Sequence, residues 1–256
     1  MNNQKLYPCP CCGYLTLTQK PPETYVICPI CFWEDDGDYF GKYDYGNSNQ
    51  VSLYQAQKNF TQFGACEEEW LNDVRAPTIE DKRSPDWQSI DILIANLIEK
   101  ITIVFDGVQR EDGVSLHETY VIDSYGNEEE RAKARAIDNE SRWQDVPDEW
   151  LESFPDALPF YDPKGYRYYL PAYLILFLKN FINYKSLTLE FMMYSLQLSS
   201  DTSYNHYYLS RFKLLNQEQS ETICQFLRLI VKYGNEYDNK NAEKALKNYW
   251  SKFCDD

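Results

Sequence analysis

Histidine is almost missing from this chain: His117 and His206 are the only two in 256 residues. His117-Glu118 is not followed by a second histidine four residues after the first, so the helical zinc-protease motif is absent. A satisfied or exposed side chain is the reading for each. Basic residues are scarce too, 25 against 40 acids, which leaves a formal net charge of -15. Such a chain repels phosphate backbones unless a local basic patch overrides the balance. Residues 1–84 hold seven Lys and Arg against twelve Asp and Glu, so the amino-terminal part is itself acidic. Nucleic acid is therefore an unlikely partner.

Other absences narrow the field further. The sequence has no Gly-rich phosphate loop, no strand-borne nucleophilic-serine elbow and no dinucleotide fingerprint. Its densest apolar run, Leu170 to Leu178, falls far short of the roughly 18 residues that span a bilayer. Met1 to Tyr7 is polar and lacks a signal-peptide apolar region. A soluble, cytoplasmic chain with no membrane partner is the expectation.

Cysteine, by contrast, is patterned. Cys9-Pro10-Cys11-Cys12-Gly13 is answered by Cys28-Pro29-Ile30-Cys31, two Cys-x-x-Cys hooks separated by fifteen residues, 13 to 27. Four soft ligands at this spacing suit a closed tetrahedral zinc site, with Cys9, Cys12, Cys28 and Cys31 as ligands and structural Zn²⁺ as cofactor. Cys11 could replace Cys9 or Cys12; the spacing and the following Gly13 favour the latter two. Rubredoxin-type iron sites use similar hooks, and a structural role favours zinc. Metal also outweighs redox chemistry at hooks so arranged. Cys11, Cys66, Cys224 and Cys254 remain, and without a secretion signal they read as unpaired thiols of a reducing compartment.

The expected fold class is α+β: a small zinc-ribbon-like β-hairpin module with one helix, then a mostly α-helical part of six to eight helices. Tyr14–Thr18 and Thr24–Ile27 are short β-prone runs flanking Pro21-Pro22, and they read as the two strands of one hairpin. Glu34-Asp35-Asp36-Gly37-Asp38 lacks the alternating carboxylates and distal Glu of a calcium loop, and reads as a solvated acidic loop. Ser52 with Gln55 forms a capping box ahead of a helix bearing Leu53, Ala56, Phe60 and Phe63, and Gly64 stops it. Cys66 reads as a buried thiol.

Tyr7-Pro8-Cys9-Pro10-Cys11-Cys12-Gly13, the run from Cys28 to Asp36, Val51-Ser52-Leu53 and Phe63-Gly64-Ala65-Cys66 together resemble the bacterial cysteine-rich CPCC family, over residues 5–70. The resemblance implies a small zinc-ribbon-like module without an established function, of a kind found near bacterial toxin and immunity genes.

The domain boundaries read as 1–75 for this module, 76–86 for a linker and 87–256 for the helical part. Ser84-Pro85-Asp86 predicts a helix start, with Ile90, Leu93, Ile94, Leu97, Ile98 and Ile101 on its core face and Asp106-Gly107 after it. Ser115 to Glu118 opens a second capping box. Asn127 caps the charged run 128–135, read as a solvated face. Trp143 to Tyr169 reads as a loop held by aromatic packing around a short helix at Pro147–Trp150. Helices follow from Pro171, over 187–198, from Asn216 to Tyr233 and from Asn239 to Phe253. Leu116-His117-Glu118, Asp148-Glu149-Trp150, Phe160-Tyr161-Asp162 and Tyr168 to Tyr173 resemble an uncharacterised bacterial helical family, which implies a helical fold and no activity.

Function is weighed between classes. The leading reading is a non-enzymatic, zinc-stabilised interaction protein that presents its acidic surface to a basic protein partner, in one form an immunity protein. An enzyme of hydrolase type is the rival, with Asp148, Glu149 or Asp162 in the aromatic region 143–173. It requires Asp123, Asp148, Glu149 and Asp162 to converge rather than pair with Arg135, Arg142 and Arg167. A nucleic-acid-associated zinc ribbon is the third. No catalytic residue is assigned.

Overall fold

The computed structural model describes residues 5–40, 48–181, 186–199 and 201–254, and the chain divides into two compact units, Met1–Ala95 and Asn96–Asp256. The fold class is α+β, a small antiparallel hairpin followed by helices. Strand β1 (Tyr7–Pro8) pairs with β2 (Leu15–Leu17), Tyr7 opposite Leu17 and Pro8 opposite Leu15.

This pairing corrects the expected hairpin. The run around Leu15 turns back across the first hook instead of forward to Thr24–Ile27. The latter run meets the residues after the second hook: the Tyr25 N–H donates to the Asp35 carbonyl at 2.9 Å, and the Asp35 N–H to that of Val26 at 3.2 Å. Each Cys-x-x-Cys turn reverses the chain within a few residues, so its own flanks meet first. Glu23 and Tyr25, with φ of 65° and 53°, also interrupt any continuous strand there.

The acidic run is not wholly solvated. Asp35 is buried, because alternation along an extended segment points Trp33 and Asp35 inward together. Its carboxylate accepts from the Thr24 N–H at 3.0 Å and the Thr24 hydroxyl at 2.8 Å, and from Tyr39.

Helix α1 (Leu53–Phe63) follows the capping pattern, with the Ser52 hydroxyl accepting from Gln55 N and Gly64 at φ 96° behind it. The Gln55 side chain turns to Asn59 rather than back to the cap. Helix α2 (Ile90–Val104) starts later than Ser84-Pro85 predicts. Residues 82–87 are held along the first hook instead. Leu15 N donates to the Lys82 carbonyl, Ser84 N to that of Gly13, and the Trp87 indole to that of Pro10. Part of the span read as linker is thus an edge of the first unit. The division between units falls within α2.

The second unit contains α3 (Leu116–Asp123), α4 (Glu128–Arg135), α5 (Asp148–Ser153), α6 (Pro163–Lys179), α7 (Leu187–Ser195), α8 (Asn205–Phe212), α9 (Gln217–Tyr233) and α10 (Glu236–Asn248). The central element is α6, with Tyr166, Tyr168 to Leu174 and Leu176 to Leu178 buried. It begins eight residues before Pro171, the start expected from sequence. Asp162 caps it and Pro163 takes the first turn, where a missing N–H costs nothing. Pro171 then sits inside the helix at a cost of about 3 kcal/mol. Burial of each large side chain around it returns roughly 1.5–3 kcal/mol.

Helices α9 and α10 pack together. Helix α10 starts at Glu236, capped by Asn235, a turn before the expected start at Asn239. Cys224 and Cys254 form a disulfide with Cα atoms 5.6 Å apart, so the reading of all four remaining cysteines as unpaired thiols fails for these two. Neither periodicity nor spacing reveals a pair 30 positions apart. Among the described residues, no helix is long and apolar enough to cross a membrane.

Candidate metal centre

The two hooks fold alike. Cys9 N donates to the Tyr14 carbonyl at 2.8 Å and Gly13 N returns to the Cys9 carbonyl at 2.9 Å. Nineteen positions on, Cys28 N donates to the Trp33 carbonyl at 2.9 Å and Phe32 N to the Cys28 carbonyl at 2.8 Å. Each tight loop places its two thiols on the same side, and the loops face one another.

The sulfurs of Cys9, Cys12, Cys28 and Cys31 all lie within 4.8 Å of one another. Cys9 and Cys31 are 3.6 Å apart, and Cys12 and Cys28 are 3.7 Å apart. A metal bound to four thiolates at about 2.3 Å in a tetrahedron sets its sulfurs about 3.8 Å apart, so the spacing fits a bound ion. All four cysteines are 0% exposed, which leaves no open side for a substrate.

The enclosed thiols are perturbed in opposite directions. Hydrogen bonds from Cys12, Cys31 and Cys9 hold the Cys28 thiol far below its usual range, and the Thr16 hydroxyl adds a bond at 3.2 Å. Burial pushes Cys9 and Cys31 well up. A divalent ion at the centre of the four would favour the charged form throughout.

Surrounding groups fix the cage. Gln57, buried on α1, donates to the Pro10 carbonyl at 3.0 Å and accepts from Ile90 N at 2.8 Å. Arg83 donates to the Cys12 carbonyl at 2.8 Å, and its guanidinium lies 4.4 Å from the Trp87 ring. Cys11 and Cys66 are buried beside the quartet and outside it, and burial raises both thiols. Cys66 N donates to the Cys31 carbonyl at 2.6 Å.

The carboxylates weighed for catalysis are dispersed. Asp162 accepts from Gly165 N and Val114 N, both at 2.9 Å, and Asp148 pairs with Lys179 at 2.9 Å. Asp123 and Glu149 are exposed. Arg142 pairs with Asp145 and Arg167 with Glu111. Tyr161, Tyr166, Tyr168, Tyr169 and Tyr173 are buried, and burial pushes the Tyr166 phenol up to about 12.

Two clusters escaped sequence reasoning. Buried Glu118 takes Arg131 at 2.7 Å and Arg135 at 2.5 Å, so the charged run on α4 is anchored through its arginines rather than merely solvated. His117 Nδ1 lies 2.6 Å from Asp138, whose other oxygen accepts from His117 N at 2.9 Å. Asp138 follows α4 with no motif around it to announce the pair. His206 is satisfied by the Ser203 carbonyl.

A closed four-thiol cage that could bind a metal ion lies in a small sheeted module, and a helical unit follows it in the chain. The chain belongs to the family of unknown function DUF6714, whose model matches residues 94–254, and residues 7–81 match the model described as Cysteine-rich CPCC. No curated protein and no solved structure matches the chain.

Proposed function

We propose that this is a non-enzymatic, zinc-stabilised protein that binds a basic protein partner through its acidic surface, in one form as an immunity-type protein. The observation that carries the reading is the cage: four buried thiols are placed to take a tetrahedral ion and would offer substrate no ligand position, which is the pattern of structural rather than catalytic zinc. Zinc is the ion of choice for a redox-inert role with this donor set. The charge of -15 favours a cationic partner and faster encounter with it. The dispersed carboxylates add support, each being exposed or spent on a cap or an ion pair.

The test has two arms. Elemental analysis of the purified chain should return one zinc per chain. Proteins recovered from the native host with the immobilised chain should include a basic one that, once purified, binds in a salt-sensitive way. A purified partner whose affinity ignores salt would remove the electrostatic part, and an open-shell iron spectrum would remove zinc.

A further inference from the structure

Around His117 four rings form a continuous row in the second unit. Trp150 stands edge-on to His117 with centroids 4.8 Å apart, Phe154 meets His117 at 4.9 Å, and Tyr120 meets Phe154 at 6.3 Å. The row comes from local spacing: His117 and Tyr120 are i, i+3 on α3, Trp150 lies on α5, and Phe154 is the residue that ends α5. It is rigid at its centre, because Asp138 grips the His117 ring and backbone together. It is also open. Tyr120 is 64% exposed and the His117 side chain 19%, and Trp150 and Phe154 are half-buried.

Two carboxylates neighbour the row in sequence, Asp123 one turn along α3 from Tyr120 and Glu149 just before Trp150. Both are exposed, and among the described residues neither joins an ion pair. Their neighbours differ: Asp148 is taken by Lys179, and Glu118 by Arg131 and Arg135. Free carboxylates on a surface that carries the exposed Tyr120 ring are complementary to one side chain above others. A guanidinium stacks flat on a ring while its edge hydrogen bonds to a carboxylate, whereas an ammonium is a strongly hydrated point charge.

We propose that the Tyr120–Phe154–His117–Trp150 row, with Asp123 and Glu149, seats an arginine-bearing segment of the protein partner. This rests on the acidic-surface reading above and gives it a place and a side chain.

The probe is fluorescein-labelled nona-arginine, titrated into the full chain at about 0.15 M salt, where exposed long-range charge effects are largely screened. Nona-lysine is the control. The expected result is tighter binding of nona-arginine, weakened about threefold to tenfold by Tyr120→Ser and again by Asp123→Asn. Glu218→Gln with Glu221→Gln, on α9, should leave it unchanged. Tyr120 and Asp123 are exposed, so both variants keep the fold, checked by far-ultraviolet circular dichroism. Equal affinity in Tyr120→Ser and the unaltered chain, or equal binding of the two peptides, would overturn the seat and leave the acidic-surface reading standing. No binding of either peptide would overturn both.

Discussion

Gly13 and Phe32 occupy the same place in their two hooks, one residue after the second cysteine, and both take left-handed backbone, φ 78° and 66°. The knuckle geometry imposes that conformation whatever the residue. Glycine adopts it freely; Phe32 bears the strain and is held by stacking on Trp70 at 4.3 Å. A side chain at Gly13 would meet the Trp87 ring at 2.6 Å. Gly13→Ala should therefore cost about 1–3 kcal/mol, read as a lower thermal midpoint. Phe32→Gly trades lost stacking against relieved strain and should change it less. Equal losses in the two variants would contradict the shared geometry.

Serine at Cys9, Cys12, Cys28 or Cys31 should abolish metal binding, whereas Cys11→Ser and Cys66→Ser should keep it. Chelation should erase near-ultraviolet dichroism from Trp33, Trp70 and Trp87, all in the first unit. A variant at Cys11 that loses the ion would move the ligand set.

The disulfide makes a simple count. With metal removed and no reductant added, six of the eight cysteines should react as thiols, the other two being Cys224 and Cys254. Cys254→Ser should lower stability by about 2–4 kcal/mol. Eight reactive thiols would show the pair to be reduced in the isolated protein.

Asp238 should make stability fall as pH rises. Burial pushes its carboxyl up to about 6, aided by Glu190 and opposed by a hydrogen bond from Asn235, and one of its oxygens has no partner. The folded chain thus binds this proton more tightly than the unfolded chain, whose Asp titrates near 3.9. The stabilisation is complete below about 4 and lost as pH passes through about 6. Asp238→Asn should raise the denaturation midpoint at pH near 8 and lose that advantage near pH 4. An advantage that persists unchanged in acid would exclude the carboxyl as its source.

Removing the Glu118 carboxylate leaves Arg131 and Arg135 without their shared partner. Glu118→Gln should cost about 3 kcal/mol, softened because both arginines are partly exposed, at 33% and 36%. Unfolding by urea reads this directly, and a change under about 0.5 kcal/mol would be that of an ordinary surface site.

What sequence revealed was what local rules govern. Ser52 and Asn127 announced their helices because a cap is a contact between near neighbours. The quartet was legible because thiol spacing within each hook reports its turn. Pairings across distance were not: β1 with β2, Asp138 with His117, Cys224 with Cys254. Proline misled twice by the same logic. Pro85 suits a first helical turn, but Trp87 is drawn to the first hook; Pro171 suits a start, but Asp162-Pro163 supplies an earlier one and burial tolerates the second ring.

Gln57 spans two backbones with one amide, giving a hydrogen to Pro10 and taking one from Ile90. The Pro10 carbonyl keeps its position only while the first hook is closed. The amide proton of Ile90 is therefore a remote gauge of metal occupancy: its exchange with solvent deuterium should quicken when the ion is withdrawn, while that of Phe105, bonded to the Ile101 carbonyl, keeps its pace.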